Sequence, residues 1–130
     1  MIDCAIIGDS IAVDLAYKFP HCIMDAKIGI GSAAIIGRVQ DPRINSATVV
    51  IISAGSNDPD NPRLTENLVS IRTKITGKVI WILPINQRAA KAVIQVAGLN
   101  QDRVVSFSPA RDNVHPSNNN TLAKNIGQIP

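Results

Sequence analysis

The segment TVVIIS, residues 48–53, places four branched apolar side chains in succession and is followed at once by the polar loop AGSND, residues 54–58. A strand with one face in water alternates apolar and polar residues, whereas a strand covered on both faces is apolar throughout. Residues 5–7 and 79–83 show the same unbroken pattern. These segments predict parallel strands that lie between two layers of helices.

Five strands and five helices are predicted to alternate along the chain. The strands are expected at residues 2–7, 22–26, 48–53, 78–83 and 103–107. The helices are expected at residues 11–19, 32–39 with Ser32 as N-cap, 63–75, 89–97 and 119–129. An apolar stripe recurs at helical offsets in the third helix and should face the sheet, formed by Leu64, Leu68, Ile71 and Ile75. The order predicts a three-layer α/β/α sandwich, which binds ligands beyond the carboxyl ends of its strands.

Composition constrains the function only weakly. The 130 residues are 45% hydrophobic and suffice for a single domain, residues 1–130, with its own core. The net charge is +3 without a run of like charges, and the few aromatic residues offer little surface for stacking bases, so no nucleic-acid partner is expected. The apolar run near the N-terminus is too short to span a bilayer, so no membrane partner is expected. No pattern in the sequence indicates an oligomeric state.

The cysteines and the N-terminus favour a reducing, cytoplasmic setting. Residues 1–8 contain neither the basic segment nor the cleavage site of a secretion signal, although a removed leader or export without one would leave the same sequence. Cys4 and Cys22 lie in or near predicted strands and are interpreted as buried thiols rather than as a disulfide or metal ligands. His21 is interpreted as a surface or boundary residue without partners at metal spacing, so no metal is expected.

Polar or glycine-containing groups follow four of the five predicted strands, where the fold is expected to place functional residues. They are Gly8-Asp9-Ser10, Gly29, Gly55-Ser56-Asn57-Asp58 and Asp112-Asn113-Val114-His115-Pro116. Ser10 stands at a strand-to-helix junction, where the start of a helix favours the negative charge that develops on an attacked substrate. The alternative is that Ser10 only caps the helix, as most serines at such junctions do.

Asp112 and His115 are spaced so that one turn can hold the carboxylate against one imidazole nitrogen while the other nitrogen faces a serine. A solvated loop pair is the alternative for these two residues. Asn57 offers side-chain N–H donors, and Gly29 lets the backbone approach a substrate closely. Together with the backbone N–H of Ser10 they could form an oxyanion hole. An ordinary turn is the alternative for the segment around Asn57.

Taken in order, these four groups resemble the sequence blocks of the GDSL/SGNH hydrolase family. Gly8-Asp9-Ser10 is similar to the GDS block, with Ile11 where leucine is usual. Gly29 resembles the glycine of the second block, for which Gly31 is a weaker candidate. The third group resembles G-x-N-D, and the fourth resembles D-x-x-H-P. The blocks span residues 8–116, so the resemblance covers nearly the whole chain, although family members are often longer.

The resemblance implies a flavodoxin-like sandwich and a serine esterase that uses neither a metal nor an organic cofactor. It implies Ser10 as the nucleophile and His115 as the general base, oriented by Asp112. It also implies an oxyanion hole built from the N–H groups of Ser10 and Gly29 and the side chain of Asn57. Asp9, within the first block, is expected to hold the nucleophile loop or to serve the structure alone.

The expected substrate is a small-molecule or carbohydrate ester with a short acyl group such as acetyl. The loops at residues 84–87 and 108–111 are short and polar, so they leave few residues for the deep apolar trough that a long acyl chain needs.

Two rival functions remain open: a non-catalytic binding module on the same fold, and a flavodoxin-like signalling or nucleotide-binding domain. Residues 29–34 lack the last glycine of a G-x-G-x-x-G fingerprint, and no P-loop motif occurs.

Overall fold

The computed structural model describes residues 3–129 and folds them around a five-stranded parallel sheet. The strands are β1 (Cys4–Gly8), β2 (Ile23–Ala26), β3 (Val49–Ser53), β4 (Lys78–Ile82) and β5 (Arg103–Val105). Their order across the sheet is β2-β1-β3-β4-β5, the flavodoxin-like order with its switch point between β1 and β3. The five predicted strands are confirmed with ends that differ by one or two residues. Ile2, predicted to begin the first strand, lies outside the described residues.

Helices cover both faces of the sheet, and each predicted helix is confirmed. They are α1 (Ser10–Ala16), α2 (Ser32–Arg38), α3 (Pro42–Asn45), α4 (Leu64–Thr73), α5 (Gln87–Asn100) and α6 (Asn119–Ile126). The short α3 is absent from the sequence prediction. It begins with proline, whose φ suits a first helical residue, and the Asp41 side chain caps it by accepting from the backbone N–H of Arg43. Every helix within residues 3–129 is too short or too polar to cross a membrane.

The prediction that Ser32 caps α2 is wrong. Gly31 is the N-cap, and Ser32 is the first helical residue. The Ser32 hydroxyl donates to the carboxylate of Asp58 at 2.6 Å, and the Ser32 backbone N–H donates to the same carboxylate at 3.1 Å. A carboxylate from the loop after β3 therefore does what a capping side chain of the helix itself would do.

Alternate residues of the strands point into two separate cores, one on each face of the sheet. The larger core packs α2, α4 and α5 against Ile7, Ile52 and Trp81. The smaller core packs α1 and α6 against Ile6 and Ile51. Burial of both faces explains why the strands are apolar without alternation. The predicted apolar stripe of α4 is buried in the larger core, which confirms its orientation.

Trp81, in the middle of β4, is fully buried and is linked to a buried ion pair. Its Nε1 donates to the carboxylate of Asp102 at 3.0 Å, and the guanidinium of Arg72 donates to the same carboxylate at 2.8 Å. The side chain of Asp102 is only 3% exposed, so these donors offset the cost of removing its charge from water. These hydrogen bonds link β4 and α4 to the residue that directly precedes β5.

The interpretation of the cysteines as free thiols is wrong, because Cys4 and Cys22 form a disulfide. β1 and β2 pair with Ala5 opposite Ile23, which makes the two cysteines neighbours just before that pair, with their Cα atoms 4.8 Å apart. The interpretation of His21 as lacking partners at metal spacing is also wrong. One of its ring nitrogens and the two sulfurs lie within 4.8 Å of one another.

Candidate active site

The first strand delivers Ser10 to the carboxyl edge of the sheet through a sharp turn at Gly8. Gly8 has a φ of 132°, which residues with a Cβ rarely adopt, and a Cβ built on it would lie 1.8 Å from the carbonyl oxygen of Ser53. The chain can therefore pass this close to β3 only with glycine at this position. Asp9 follows as the N-cap of α1, and Ser10 is the first helical residue.

Asp9, rather than Ser10, caps α1. Its Oδ1 accepts hydrogen bonds from the backbone N–H of Ile11 at 3.1 Å and from the hydroxyl of Ser53 at 2.8 Å. Its Oδ2 is buried and has no hydrogen-bond partner within residues 3–129. Burial raises the pKa of Asp9 to about 6, although the bonds from Ser53 and Ile11 oppose the shift. The Ser10 hydroxyl is consequently not needed for capping.

Three side chains from two distant parts of the chain form one hydrogen-bonded row. Ser10 Oγ lies 2.7 Å from His115 Nε2, and His115 Nδ1 lies 2.5 Å from Asp112 Oδ2. When Nδ1 carries the ring proton and donates it to the carboxylate, the lone pair of Nε2 faces the serine hydroxyl. The sequence-predicted residues Ser10, His115 and Asp112 are thus in direct contact, in the order that a nucleophile, a base and an orienting carboxylate would need.

A compact, largely exposed loop between β5 and α6 presents Asp112 and His115. Asp112 Oδ1 accepts from the backbone N–H groups of Val114 and His115, each at 2.9 Å. Asn113 has a φ of 57°, a left-handed conformation that asparagine adopts more readily than most residues. The backbone N–H of Ala110 donates to the carbonyl of His115 at 2.7 Å and closes the loop. His115 and Asp112 are therefore positioned by a local turn.

The same contacts hold the Asp112 carboxyl group in its charged form. The backbone N–H and the imidazole of His115, together with the backbone N–H of Val114, lower the pKa of Asp112 to about 2. Asp112 is therefore ionised at any pH near neutrality. An ionised carboxylate at this position favours the His115 tautomer that leaves Nε2 available to accept a proton.

Asn57 reaches the loop that contains Gly29. Gly55, with a φ of 101°, lets the chain turn out of β3 just before it. Asn57 Nδ2 donates to the carbonyl of Ile30 at 2.9 Å. The side-chain amide has two N–H groups, so this bond fixes the amide and leaves one donor for another acceptor.

Gly29 and Gly31 both lie in the loop between β2 and α2. Gly29 has a φ of 81° and open space where a Cβ would stand. Gly31 lies against the loop after β3, because a Cβ built on it would be 3.5 Å from Asp58 Cγ. Neither glycine N–H has an acceptor within residues 3–129.

Ser53 and Asp58 support the site, and sequence reasoning missed the role of both. Ser53 is buried at the end of an otherwise apolar strand, which is the signal that it bonds to another buried polar group. Its partner is Asp9. Asp58 holds Ser32 at the start of α2, which links the loop after β3 to the loop after β2. The link between these loops depends on the order of the strands in the sheet, so no local sequence pattern predicts it.

A cavity of about 260 Å³ opens beside Asp112. Three loops, which follow β3, β4 and β5, form its wall, and the residues are Ser56, Pro59, Ile85, Asn86, Asp112, Asn113 and Val114. Polar and apolar residues are mixed along this wall. The cavity therefore lacks the continuous apolar lining that a long alkyl chain needs.

The same fold occurs in solved bacterial structures. A provisionally assigned acylhydrolase from Bacteroides fragilis is 22% identical with a TM-score of 0.69, over 92% of this chain and 81% of that one. A possible lipase from Chitinophaga pinensis is 18% identical with a TM-score of 0.61, over 85% and 69%. The C-terminal catalytic domain of peptidoglycan O-acetyltransferase A from Streptococcus pneumoniae, solved with a methylsulfonyl adduct, is 17% identical with a TM-score of 0.58, over 92% and 83%.

These likenesses establish the fold, and they agree with the predicted SGNH-hydrolase type of α/β/α sandwich. No protein-family model matches the chain, and no curated protein matches it by sequence.

Proposed function

We propose that the protein is a serine esterase that hydrolyses short-chain acyl esters, with acetyl as the preferred acyl group. Ser10 is the nucleophile, His115 is the general base and Asp112 orients the base. The observation that carries the proposal is the continuous row of hydrogen bonds from Ser10 Oγ through both nitrogens of His115 to Asp112, at 2.7 and 2.5 Å. The row has the geometry that proton transfer from a serine requires.

The reaction proceeds in two halves through an acyl-enzyme. Ser10 Oγ attacks the ester carbonyl while His115 Nε2 accepts the hydroxyl proton, and the charged imidazole is stabilised by Asp112. The tetrahedral intermediate then collapses, the alcohol leaves with the proton from His115, and the acyl group stays on Ser10. Water attacks the acyl-enzyme by the same route and releases the acid.

The negative charge on the substrate oxygen needs donors that are in place before the reaction. Three groups at the carboxyl edge of the sheet are suited to this role: the backbone N–H groups of Ser10 and Gly29 and the remaining Nδ2–H of Asn57. The bond from Asn57 to Ile30 supports this assignment, because it fixes the amide before substrate binds. Gly31 offers a further backbone N–H in the same loop.

The lining of the cavity beside Asp112 supports a preference for a short acyl group. Each buried methylene stabilises a complex by ~0.8 kcal/mol only where apolar walls cover it. Polar groups such as Ser56, Asn86 and Asn113 interrupt the wall here, so added methylenes would stay partly wet. The alcohol can be a small molecule or a carbohydrate that lies across the open rim. The reaction needs neither a metal nor an organic cofactor, nor a nucleic acid or membrane partner.

A single domain over residues 1–130 and a cytoplasmic location stay predictions. The expected cytoplasmic setting was based on the N-terminal sequence and on reduced thiols. The disulfide between Cys4 and Cys22 weighs against that setting, because disulfides persist mainly in oxidising compartments.

The decisive experiment labels the protein with a fluorophosphonate, which bonds covalently to activated serines. Wild type should take up one label per chain and hydrolyse p-nitrophenyl acetate, and Ser10→Ala should do neither. Ser70→Ala is the matched control, because Ser70 is an exposed serine on α4, and it should behave as wild type. Ser10→Ala should melt at the wild-type temperature, since Asp9 caps α1 without the Ser10 hydroxyl.

The same preparations test the acyl preference with acetyl, butyryl and octanoyl esters. We expect kcat/KM to be highest for the acetyl ester. A steady rise toward octanoyl would contradict the short-acyl assignment while leaving the serine esterase intact. A folded wild-type protein that takes up no label and cleaves no ester would contradict the esterase itself and favour the non-catalytic binding module.

A further inference from the structure

Cys4, His21 and Cys22, which are residue types that bind metals, lie close together at the amino ends of β1 and β2. This end of the sheet is opposite the end that carries Ser10. Cys4 begins β1 and Cys22 directly precedes β2, whereas Ser10 follows the carboxyl end of β1. One ring nitrogen of His21 and the two sulfurs lie within 4.8 Å of one another. Two thiolates and an imidazole are ligands that Zn²⁺ and similar ions prefer, and ions of this class bind such sets tetrahedrally.

The ring of His21 is held in place by the C-terminal segment. Its Nε2 lies 3.0 Å from the carbonyl oxygen of Ile129, and the ring of Phe19 contacts it edge-on with centroids 6.4 Å apart. When Nε2 donates to that carbonyl, Nδ1 carries the lone pair that a metal needs. A backbone carbonyl on the second ring nitrogen is the usual arrangement of metal-binding histidines.

The three side chains differ in exposure. Cys4 is fully buried, Cys22 is half-buried and His21 is exposed. One surface hollow lies beside His21 and another beside Cys22. An ion entering beside His21 would have protein ligands on its inner side and room for water on its outer side.

We propose that reduction of the Cys4–Cys22 disulfide converts this cluster into a site for one Zn²⁺-class ion, bound by both sulfurs, His21 and a water molecule. Reduction by a dithiol adds two electrons and two protons to the disulfide, and the dithiol becomes a cyclic disulfide. The ion then displaces one proton from each thiol. A tetrahedral ion with Zn–S of about 2.3 Å holds its sulfurs ~3.8 Å apart, so the bound ion and the disulfide exclude each other.

The ion would replace the covalent link between β1 and the segment before β2. It would also extend that link through His21 to the backbone at Ile129, after α6. This end of the sheet would then be cross-linked in one of two ways, by the disulfide under oxidising conditions or by the bound ion after reduction.

Cobalt(II) is the probe, because its visible absorption reports both the number of ligands and the presence of thiolate. Protein reduced with dithiothreitol and freed of it by anaerobic gel filtration should bind one Co²⁺ per chain and develop thiolate charge-transfer and tetrahedral ligand-field bands. Zn²⁺ should displace Co²⁺ and abolish the bands. Air-oxidised protein should show neither band, because its sulfurs are bonded to each other.

His21→Ala and His115→Ala form a matched pair of histidine variants. His21→Ala should weaken Co²⁺ binding at least about tenfold and remove the tetrahedral bands, since three protein ligands fall to two. It should keep esterase activity. His115→Ala should bind Co²⁺ as wild type does while losing esterase activity, so failure of the metal site and failure of the proposed esterase can be told apart.

Three results would overturn the metal site. The first is that reduced wild type binds no Co²⁺, whether it stays folded or unfolds. The second is that oxidised and reduced protein bind Co²⁺ equally. The third is that reduced His21→Ala and His21→Asn give the wild-type spectrum, which would exclude the imidazole as a ligand.

Discussion

Ser10 and His115 meet across 2.7 Å, yet the two regions that carry them are built in different ways. The turn at residues 8–10 is mostly buried, joins β1 to α1 and is bonded to β3 through Ser53. The loop at residues 110–115 is mostly exposed and is held by hydrogen bonds among its own residues. The position of Ser10 therefore depends on packing within the sheet, whereas the position of His115 depends on a local turn.

The carboxyl groups of the two regions show the same contrast. Burial raises the pKa of Asp9 to about 6, whereas backbone and imidazole donors lower the pKa of Asp112 to about 2. A carboxylate removed from water is costly to charge, and an exposed one surrounded by donors is not. The charge of Asp112 is thus stabilised by its surroundings, while the charge of Asp9 opposes folding.

The largest effect is expected from Gly8→Ala, which adds one methyl group to the buried turn. The new Cβ would overlap the Ser53 carbonyl oxygen at 1.8 Å, and a φ of 132° disfavours any side chain. We expect the unfolding free energy to fall by about 4 kcal/mol or more, measured by urea unfolding followed with circular dichroism. Gly98→Ala, in α5 with open space around the added Cβ, is the control and should not destabilise. A Gly8→Ala protein as stable as wild type would contradict the conclusion that the turn at residues 8–10 depends on close packing against β3.

Asp112→Asn tests the exposed loop and should lower kcat by ~10⁴-fold. The asparagine oxygen can still accept from the backbone N–H groups of Val114 and His115, so the turn should persist. Its amide nitrogen, however, would face His115 Nδ1 and favour the tautomer that cannot accept the Ser10 proton. The melting temperature should stay within a few degrees of wild type. A large fall in melting temperature together with the rate would make Asp112 a structural residue and remove the contrast between the two regions.

Asn57→Ala extends the comparison to the loop after β3 and should lower kcat by about 10²–10³-fold with little change in KM. The lost donor acts on charge that exists only in the transition state. Asn67→Ala is the control, because it removes a side-chain bond to Ser32 Oγ at 3.0 Å without removing an oxyanion donor. Raised KM with unchanged kcat would instead identify Asn57 as a ground-state contact.

The smallest effect is expected from Asp9→Asn, which tests how the stability of the buried turn depends on pH. The folded-state pKa of Asp9, about 6, lies above the ordinary value of 3.8, so the folded protein binds this proton more tightly than the unfolded chain does. The contribution of Asp9 to stability is therefore greatest below about pH 4 and is lost as pH rises through about 6, by at most ~3 kcal/mol. Asp9→Asn cannot ionise and should remove this slope. Urea unfolding of both proteins between about pH 4 and pH 7 measures it, and identical slopes would contradict the assignment.

The sheet and the triad could be predicted because their signals are local. Unbroken apolar runs such as residues 49–52 indicate strands covered on both faces, and functional residues follow those strands directly. Ser10 and the pair Asp112 and His115 could be assigned to one site because parallel strands end at one edge. The short α3 carried a readable signal, an aspartate before a proline, which the strand–helix alternation concealed.

The remaining features depend on register, which a single sequence does not specify. Cys4 and Cys22 are joined because β1 pairs with β2 at Ala5 and Ile23, and a shift by one residue would separate them. Ser53 reaches Asp9 because Gly8 lies opposite Ser53 across the sheet. Without the pairing of β1 with β2 the disulfide carries no sequence signal, and without the pairing of β1 with β3 the polar end of β3 does not identify Asp9 as the partner of Ser53.

Trp81 is the single tryptophan of the chain, and its surroundings make it an internal optical probe. The indole is fully buried, and its N–H is bonded to the carboxylate that also holds Arg72. Its fluorescence should therefore shift to longer wavelength only when β4 separates from α4 and water reaches the ring. Refolding of the whole core can then be timed from one native fluorophore, without attaching a dye and without disturbing the serine at the edge of the sheet.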